Sequence, residues 1–259
     1  MIKEIGILII SIQYSGNLKL NGTLNDSFLF KKMIENHYSK NPNIKLKFCI
    51  LTDRQNRMKK LIGQNSKYSI EYKDANKDTI LNSLQRILHK FNNIYIYYTG
   101  HGYQVLDRNN DEKDGKDEVI IPSNHTTGLI SDDEIFNLVQ KYMKKNKRVR
   151  MIMDCCNSGT LVDLPFRNNI FNYRNNKLSI NGDIIAISGC RDEQYSYERL
   201  INSKYHGILT YCLNYLVQNN YIYIDNIKTV LNSIFKYNNI SQESIVTSNK
   251  ITTQSKFFL

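Results

Sequence analysis

The sequence predicts an α/β fold in which helices cover both faces of a mostly parallel central β-sheet. Apolar runs that fit buried strands alternate with segments of helical periodicity, which is the pattern of such sheets. The 259 residues, of which 41% are hydrophobic, suffice for one large domain. We therefore expect residues 1–259 to form a single domain, with no prodomain before the first strand.

The predicted sheet consists of five strands and a short last one. Runs of β-branched residues and leucine are typical of parallel strands that are buried on both faces. The five strands occupy residues 5–12, residues 44–51, a run from Ile94, a run from Met151, and residues 183–188. Residues 255–259 are predicted to add the short last strand.

Helices are predicted between these strands, where apolar residues recur at helical spacing. They cover residues 24–38, a segment that Asp78 or Thr79 caps, a segment that Ser131 caps, and residues 207–217 and 225–237. Asn21, Thr23 and Asn25 are alternative caps for the first of these helices. The polar stretches 106–116 and 166–181 are predicted to be surface loops.

Composition limits the partners and the location of the protein. No apolar run reaches the roughly 18 residues of a membrane span, and the five cysteines show neither disulfide nor zinc spacing. We therefore expect a monomeric, cytoplasmic protein with reduced thiols and no membrane partner. The net charge of +11 comes from lysines spread along the chain, so nucleic-acid binding is only a third alternative.

Two of the predicted strands end in reactive side chains that are followed by glycine. One strand leads into Gly100-His101-Gly102, and the other leads into Cys155-Cys156-Asn157-Ser158-Gly159. Because the carboxyl ends of parallel strands meet at one edge of a sheet, His101 and a cysteine thiol are expected to lie together. A thiol beside an imidazole forms a nucleophile and its base. The backbone N–H groups of Gly102 and Cys156 are then candidates for the oxyanion hole.

These two segments resemble the catalytic blocks of metacaspases, a family of caspase-like cysteine peptidases. The second block of that family reads Asp-x-Cys-x-Ser-Gly, so the match makes Cys156 the nucleophile and Cys155 the variable neighbour. The separation of His101 from Cys156 is also close to the roughly 50 residues found in caspases. Further segments with this resemblance are residues 20–26, 114–122, 159–166, 187–194 and 207–211. The resemblance implies a caspase-like fold and a cysteine endopeptidase that acts on peptides or proteins.

The same match implies an acidic pocket for the substrate residue before the scissile bond (P1). The family lines this pocket with residues that correspond to Asp26, Thr99 and Asp154. Asp154 lies two residues before Cys156, so on a strand it would share the face of the nucleophile. A carboxylate there disfavours the thiolate unless a cation binds it, which indicates Arg or Lys at P1. The alternative interpretation of Asp26 is an acid in the first turn of a helix.

The resemblance also implies Ca²⁺ as a cofactor and an activator. The family binds calcium through acids that correspond to Asp117, Asp132, Asp133 and Asp163. Carboxylate oxygens are the ligands that Ca²⁺ prefers. For Asp132 and Asp133, a role at a helix N-terminus is the alternative interpretation.

Two positions depart from the family pattern. Thr23 stands where the family usually has cysteine, and Asn157 stands where it often has histidine. Both departures leave the base and the nucleophile in place and bear on substrate preference. The alternative function is a catalytically silent caspase-like domain that acts by binding other proteins.

Overall fold

The computed structural model of the chain describes residues 3–63, 66–107, 115–159, 161–162, 164–171, 180–192 and 194–259. The strands are β1 (Lys3–Ser11), β2 (Ile44–Thr52), β3 (Ile70–Lys73), β4 (Asn93–Thr99), β5 (Gly102–Leu106), β6 (Lys116–Ile120), β7 (Ile130–Ser131), β8 (Arg148–Asp154), β9 (Phe166–Arg167), β10 (Ile170–Phe171), β11 (Asp183–Ser188), β12 (Glu198–Ile201), β13 (Lys204–Gly207) and β14 (Ile245–Ser248). The helices are α1 (Thr23–Tyr38), α2 (Gln55–Ile62), α3 (Lys77–Lys90), α4 (Asp132–Tyr142), α5 (Ile208–Gln218) and α6 (Ile224–Tyr237).

A nine-stranded sheet runs through the centre in the order β10-β9-β14-β11-β8-β4-β1-β2-β3. The strands from β11 to β3 are parallel, and β14, β9 and β10 extend this sheet by antiparallel pairing. The predicted mostly parallel α/β sheet is thus confirmed.

Each face of the sheet is covered by its own set of helices. Ile5, Ile7 and Ile9 of β1 pack in the core that contains α1, α2, α5 and α6, whereas Leu8 and Ile10 face α3 and α4. Burial of alternate residues on both faces explains why β1 is apolar from Ile5 to Ile10 except at Gly6. No helix in the described part of the chain is both long and apolar enough to cross a bilayer.

The register of the central strands aligns their carboxyl ends. Ser11 of β1 pairs with Thr99 of β4, and Thr99 pairs with Asp154 of β8. His101 and Cys156 each follow two residues after this aligned row. The sheet therefore brings both segments to one edge.

A small sheet extends the segment that follows His101. Strands β5, β6 and β7 pair in that order, and β6 is antiparallel to both neighbours. The backbone N–H of Ile121 donates to the His101 carbonyl at 3.1 Å, which fastens this sheet to the end of β4. The predicted loop 106–116 thus borders two strands, and its residues 108–114 lie outside the described ones.

Two local predictions were wrong. Residues 255–259 form only an isolated bridge between Tyr223 and Lys256, and the last strand is β14. The described part of the predicted loop 166–181 contains the short hairpin β9–β10. In residues 255–259, the side chain of Phe257 is buried in the core that also contains α1.

Two of the predicted helix caps also differ from the structure. Helix α1 begins after Gly22 without a side-chain cap, and Asn76 rather than Asp78 or Thr79 caps α3 by accepting from the Thr79 N–H at 2.9 Å. The predicted Ser131 cap of α4 is confirmed, and it forms a capping box with Glu134.

Candidate active site

His101 is held by two tyrosines at the end of β4. Its backbone N–H donates to the Tyr14 hydroxyl at 3.0 Å, and its carbonyl accepts from the Tyr98 hydroxyl at 2.7 Å. The Tyr14 ring lies against the imidazole, with 4.7 Å between ring centroids. Tyr14 has a left-handed backbone (φ 57°), and Asp53 fixes it by accepting from its N–H at 2.9 Å. The orientation of the imidazole is therefore determined by several contacts.

A backbone carbonyl defines the proton arrangement of the imidazole. The Nε2 atom of His101 lies 2.7 Å from the Leu18 carbonyl oxygen. Because a carbonyl can only accept, Nε2 carries the hydrogen and Nδ1 is left as the basic nitrogen. Leu18 thus supplies an orienting group that the sequence analysis missed, and a backbone carbonyl leaves no residue-type signal in a sequence.

The two cysteines at the end of β8 have different environments. Strand β8 ends at Asp154, so Cys155 and Cys156 lie in the bend that follows, and the expected common strand face of Asp154 and Cys156 does not extend to the nucleophile. Cys155 is buried in the core, whereas Cys156 is half-buried. The backbone N–H of Ser196 donates to the Cys156 Sγ at 3.3 Å.

The thiol of Cys156 is in an environment that disfavours its ionised form. Burial raises its pKa, the N–H of Ser196 opposes this shift, and the negative charge of Asp154 raises the pKa further. Ser196 links the thiol to this carboxylate, because its hydroxyl also donates to Asp154 Oδ1 at 2.9 Å. The thiol of Cys155 has a pKa well above its usual value, mainly through burial. Of these two thiols, Cys156 is the accessible one.

Glycine is required at position 102 because two backbones meet there. A Cβ atom at Gly102 would overlap the carbonyl oxygen of Cys156 and would lie 3.2 Å from the Cys155 sulfur. This contact joins the first residue of β5 to the cysteine bend. The two N–H groups expected to form an oxyanion hole therefore belong to adjoining segments.

Two cavities meet at His101 and Cys156. The acidic pocket, about 110 Å³, is lined further by residues that include Thr23, Asp26, Thr99, Asp154 and Glu198. The outer cleft, about 630 Å³, is lined further by Leu18, the strand β5, Lys116, Ile121, Asn157 and Tyr195. His101 and Cys156 are the residues that the two cavities share. The structure thus brings the predicted Asp26, Thr99 and Asp154 together with the predicted dyad.

The carboxylates of the acidic pocket are fixed by donors from three segments. Asp26 accepts from His206 Nδ1 at 2.7 Å and from the Gly207 N–H at 2.8 Å. Asp154 also accepts from the Thr210 N–H at 3.1 Å. Neither carboxylate is more than 6% exposed, so both are held rigidly in a poorly solvated pocket.

Burial makes the negative charge of this pocket costly. It raises the pKa of Asp154, and it raises the pKa of Asp26 well above the usual range, with the charges of Asp154 and Glu198 adding to the effect on Asp26. The hydroxyl of Thr23, 1% exposed, has no hydrogen-bond partner among the described residues. The pocket therefore contains two aspartates whose ionised forms are disfavoured, together with a hydroxyl oxygen that can accept a hydrogen bond.

The hairpin β12–β13 and the segment before it supply residues that the sequence analysis missed. Glu198 accepts from the Gly22 N–H at 2.7 Å and from the Asn21 N–H at 2.9 Å, which joins the hairpin to the start of α1. His206 and Ser196 reach the two aspartates as described above. None of these three belongs to a motif with recognisable spacing, and only the tertiary fold brings them to the site.

Asn157 has a backbone role in the cysteine bend. Its φ of 48° is in the left-handed region, which asparagine tolerates better than most residues. Its N–H donates to the Gln194 carbonyl at 3.3 Å, and its side chain donates to the Asp192 carbonyl. This departure from the family pattern thus supports the shape of the bend while also lining the outer cleft.

Three of the predicted calcium ligands come together beside the small sheet. Carboxylate oxygens of Asp117, Asp132 and Asp133 all lie within 4.8 Å of one another. Asp132 also accepts from the Glu118 N–H at 3.0 Å, so it joins the start of α4 to β6. Asp117 and Asp132 are buried, and Asp133 is half-buried. The fourth predicted ligand, Asp163, lies outside the described residues.

We expect the Asp154→Asn variant to lower the pKa of the Cys156 thiol, because the substitution removes a negative charge that raises it. The pH dependence of Cys156 alkylation by iodoacetamide, followed by peptide mapping, should shift to lower pH. Asp26→Asn is the matched control, since Asp26 is bonded to His206 and Gly207 rather than to Ser196, and it should give a smaller shift. An unchanged profile in Asp154→Asn, or a larger shift in Asp26→Asn, would contradict this account.

Comparison with known proteins identifies relatives of the chain. The family model for the metacaspase peptidase C14 domain matches residues 7–165. Metacaspase-1 of Plasmodium falciparum is 29% identical over 197 residues, which cover 74% of this chain and 30% of that protein. Metacaspase-1 of Saccharomyces cerevisiae is 32% identical over 161 residues, which cover 61% of this chain and 34% of the yeast protein. The matched part is thus about a third of the length of these curated relatives.

Solved structures share the fold. A crystal structure of a Geobacter sulfurreducens protein superposes with a TM-score of 0.63 at 19% identity and covers 96% of this chain and 94% of that one. The Drosophila initiator caspase Dronc superposes with a TM-score of 0.57 at 10% identity and covers 97% of this chain and 81% of its own. The predicted caspase-like fold is confirmed by this likeness, and the family match shows that the chain belongs to the metacaspase family.

Proposed function

We propose that this chain is a cysteine endopeptidase that cleaves peptide bonds after Arg or Lys and is activated by Ca²⁺. The observation that carries the proposal is the meeting of an acidic pocket and an open cleft at His101 and Cys156. An extended substrate that fills both cavities has its scissile bond beside the thiol and the imidazole.

Cys156 is the nucleophile in this proposal, and His101 is the base. Nδ1 of His101 takes the thiol proton, and Sγ attacks the carbonyl carbon of the scissile bond. The protonated imidazole is stabilised by the Leu18 carbonyl at Nε2 and returns its proton to the leaving amine. Water then hydrolyses the thioester with His101 as base. The N–H of Ser196 stabilises the thiolate while it exists.

The tetrahedral intermediate needs donors that are already in place. The N–H groups of Gly102 and Cys156 are the proposed donors, and the close approach of their backbones supports this assignment. A donor of this kind contributes roughly 3 kcal/mol to transition-state stabilisation. The close approach of Gly102 to the Cys156 carbonyl holds the two segments together, which favours a preformed hole.

The acidic pocket suits a cationic P1 side chain. Asp26 and Asp154 are carboxylates whose pKa values are raised by burial, and Glu198 adds a third acid. A guanidinium or ammonium group would neutralise them through charge-assisted hydrogen bonds. The Thr23 hydroxyl, which has no hydrogen-bond partner in the described part of the chain, offers one more acceptor. Among the described residues that line this pocket there is no Lys or Arg to oppose such a substrate.

Calcium would bind at the acids beside β6. Asp117, Asp132 and Asp133 offer the hard oxygen ligands that Ca²⁺ takes, and their oxygens are close enough together to share one ion. When bound, the ion would neutralise repulsion between these acids. Since β6 pairs with β5, which begins at Gly102, the ordering of this sheet bears on the proposed oxyanion hole.

We expect the efficiency of cleavage to depend on the P1 residue, which a panel of peptides that differ only at P1 measures. Wild-type protein should cleave Arg and Lys peptides with a kcat/KM far above that for norleucine or Asp, because only a cation is stabilised by the pocket. Asp26→Asn should lower kcat/KM for the Arg peptide by about 30-fold or more, since one partner of a buried charge pair is lost.

Affinity for the Arg peptide should also rise as pH rises through the raised pKa of Asp26, because binding favours the ionised form.

Controls separate specificity from activity. Asp78→Asn, a change of an exposed acid in the first turn of α3, should leave the Arg-to-norleucine ratio unchanged. Cys156→Ala should cleave none of the peptides. Preference for Asp at P1 would refute the acidic-pocket assignment, and absence of cleavage with or without calcium would favour a silent binding domain.

Calcium is expected to raise both peptidase activity and the melting temperature. Its binding to the folded state stabilises that state by mass action, so thermal unfolding gives a readout that is independent of catalysis. The Asp132→Asn, Asp133→Asn double variant should lose both responses, whereas Asp78→Asn should keep them. The same calcium response in the double variant and the wild type would reject this site.

A further inference from the structure

We propose that the outer cleft binds the substrate residues that follow the scissile bond, P1′ and P2′, and selects large apolar side chains there. This inference rests on the proposed peptidase function and extends it to the other side of the bond. The cleft is the continuation of the dyad away from the acidic pocket, since the two cavities share His101 and Cys156.

The position of His101 decides which half of the substrate enters the cleft. The imidazole has to protonate the leaving amine, so the residues after the scissile bond lie on its side. The chain that continues from His101 is β5, which forms a wall of the cleft. The acidic pocket is lined instead by the segment of Ser196 and Glu198. P1 and P1′ therefore leave the dyad in opposite directions.

The walls of the cleft are apolar and open to solvent. Tyr103 is 62% exposed, Leu106 is 81% exposed and Tyr195 is 66% exposed, and all three line it. Large apolar side chains grouped in this way mark binding surfaces more often than isolated ones do. A volume of about 630 Å³ is in the range of ligand sites and accommodates two side chains.

Charge differs between the two cavities. Among the described residues that line the outer cleft, Lys116 is the one Lys or Arg, and there is no Asp or Glu. The acidic pocket has three carboxylates on its walls. A substrate with a basic P1 residue followed by apolar residues matches both cavities, whereas basic residues after the scissile bond would meet Lys116.

The backbone of β5 can hold such a peptide in register. Among the described residues, β5 is an edge strand of the small sheet, whose strand order is β5-β6-β7. Edge strands accept extended peptides as an added strand, and the peptide backbone then provides affinity while alternate side chains provide specificity. Addition at β5 would place the peptide along the wall that carries Tyr103 and Leu106.

The test uses internally quenched peptides with Arg at P1 that differ only at P1′–P2′, as Leu-Leu, Gly-Gly, Asp-Asp or Lys-Lys. We expect kcat/KM for Leu-Leu to exceed that for Gly-Gly by about 10-fold, the size of effect that apolar pockets give. The Leu106→Ser, Tyr195→Ser double variant should bring the Leu-Leu to Gly-Gly ratio close to one. Tyr237→Ser, which removes a side chain that is 88% exposed on α6, should keep the wild-type ratio.

The outcomes separate this inference from the proposed function. Equal cleavage of the Leu-Leu and Gly-Gly peptides would overturn the apolar selection while the peptidase assignment stands. Preference for Asp-Asp would overturn it in favour of recognition by Lys116. An unchanged ratio in the double variant would also overturn it, because the preference would then arise elsewhere. Failure to cleave any of the four peptides would overturn both proposals together.

Discussion

The alignment of β1, β4 and β8 is the constraint on which the candidate site depends. Thr99 pairs with Ser11 on one side and Asp154 on the other, so the chain leaves neighbouring strands at one level. A slip of one residue between β4 and β8 would displace His101 from Cys156 by about 3.3 Å and would reverse the faces of the strand residues. Burial on both faces of the sheet opposes such a slip, since β1, β4 and β8 each carry apolar side chains into two cores.

The electrostatics of the acidic pocket depend on the same alignment. Asp154 ends β8 at the same level, and it acts on two neighbours: its charge raises the pKa of Cys156 and contributes to the raised pKa of Asp26. An empty pocket is therefore unfavourable for both the acids and the nucleophile. Under the proposed function, a bound cation would relieve both effects at once, and this would connect substrate selection to nucleophile activation through one side chain.

The sequence was sufficient to predict five strands of the central sheet and to bring the segments of His101 and Cys156 to one edge, because both depend on local patterns. Continuous apolar runs predicted β1, β4, β8 and β11, and the segments that carry His101 and Cys156 directly follow two of them. Leu18, Ser196, Glu198 and His206 could not be predicted, since a backbone carbonyl and residues of a distant hairpin reach the site only through tertiary packing. The cap of α3 was missed for a smaller reason: Asn76, Asp78 and Thr79 are all good capping residues within one turn, and composition does not distinguish them.

The most direct test of the central claim is covalent capture of the nucleophile by a substrate-like reagent. A peptidyl-arginine chloromethyl ketone should form a thioether with Cys156 and not with Cys155, as determined by tandem mass spectrometry of the labelled peptide. The reaction should slow strongly in His101→Ala, and the matching aspartate reagent should label poorly. Labelling of Cys155, an equal rate in His101→Ala, or faster capture by the aspartate reagent would contradict the account.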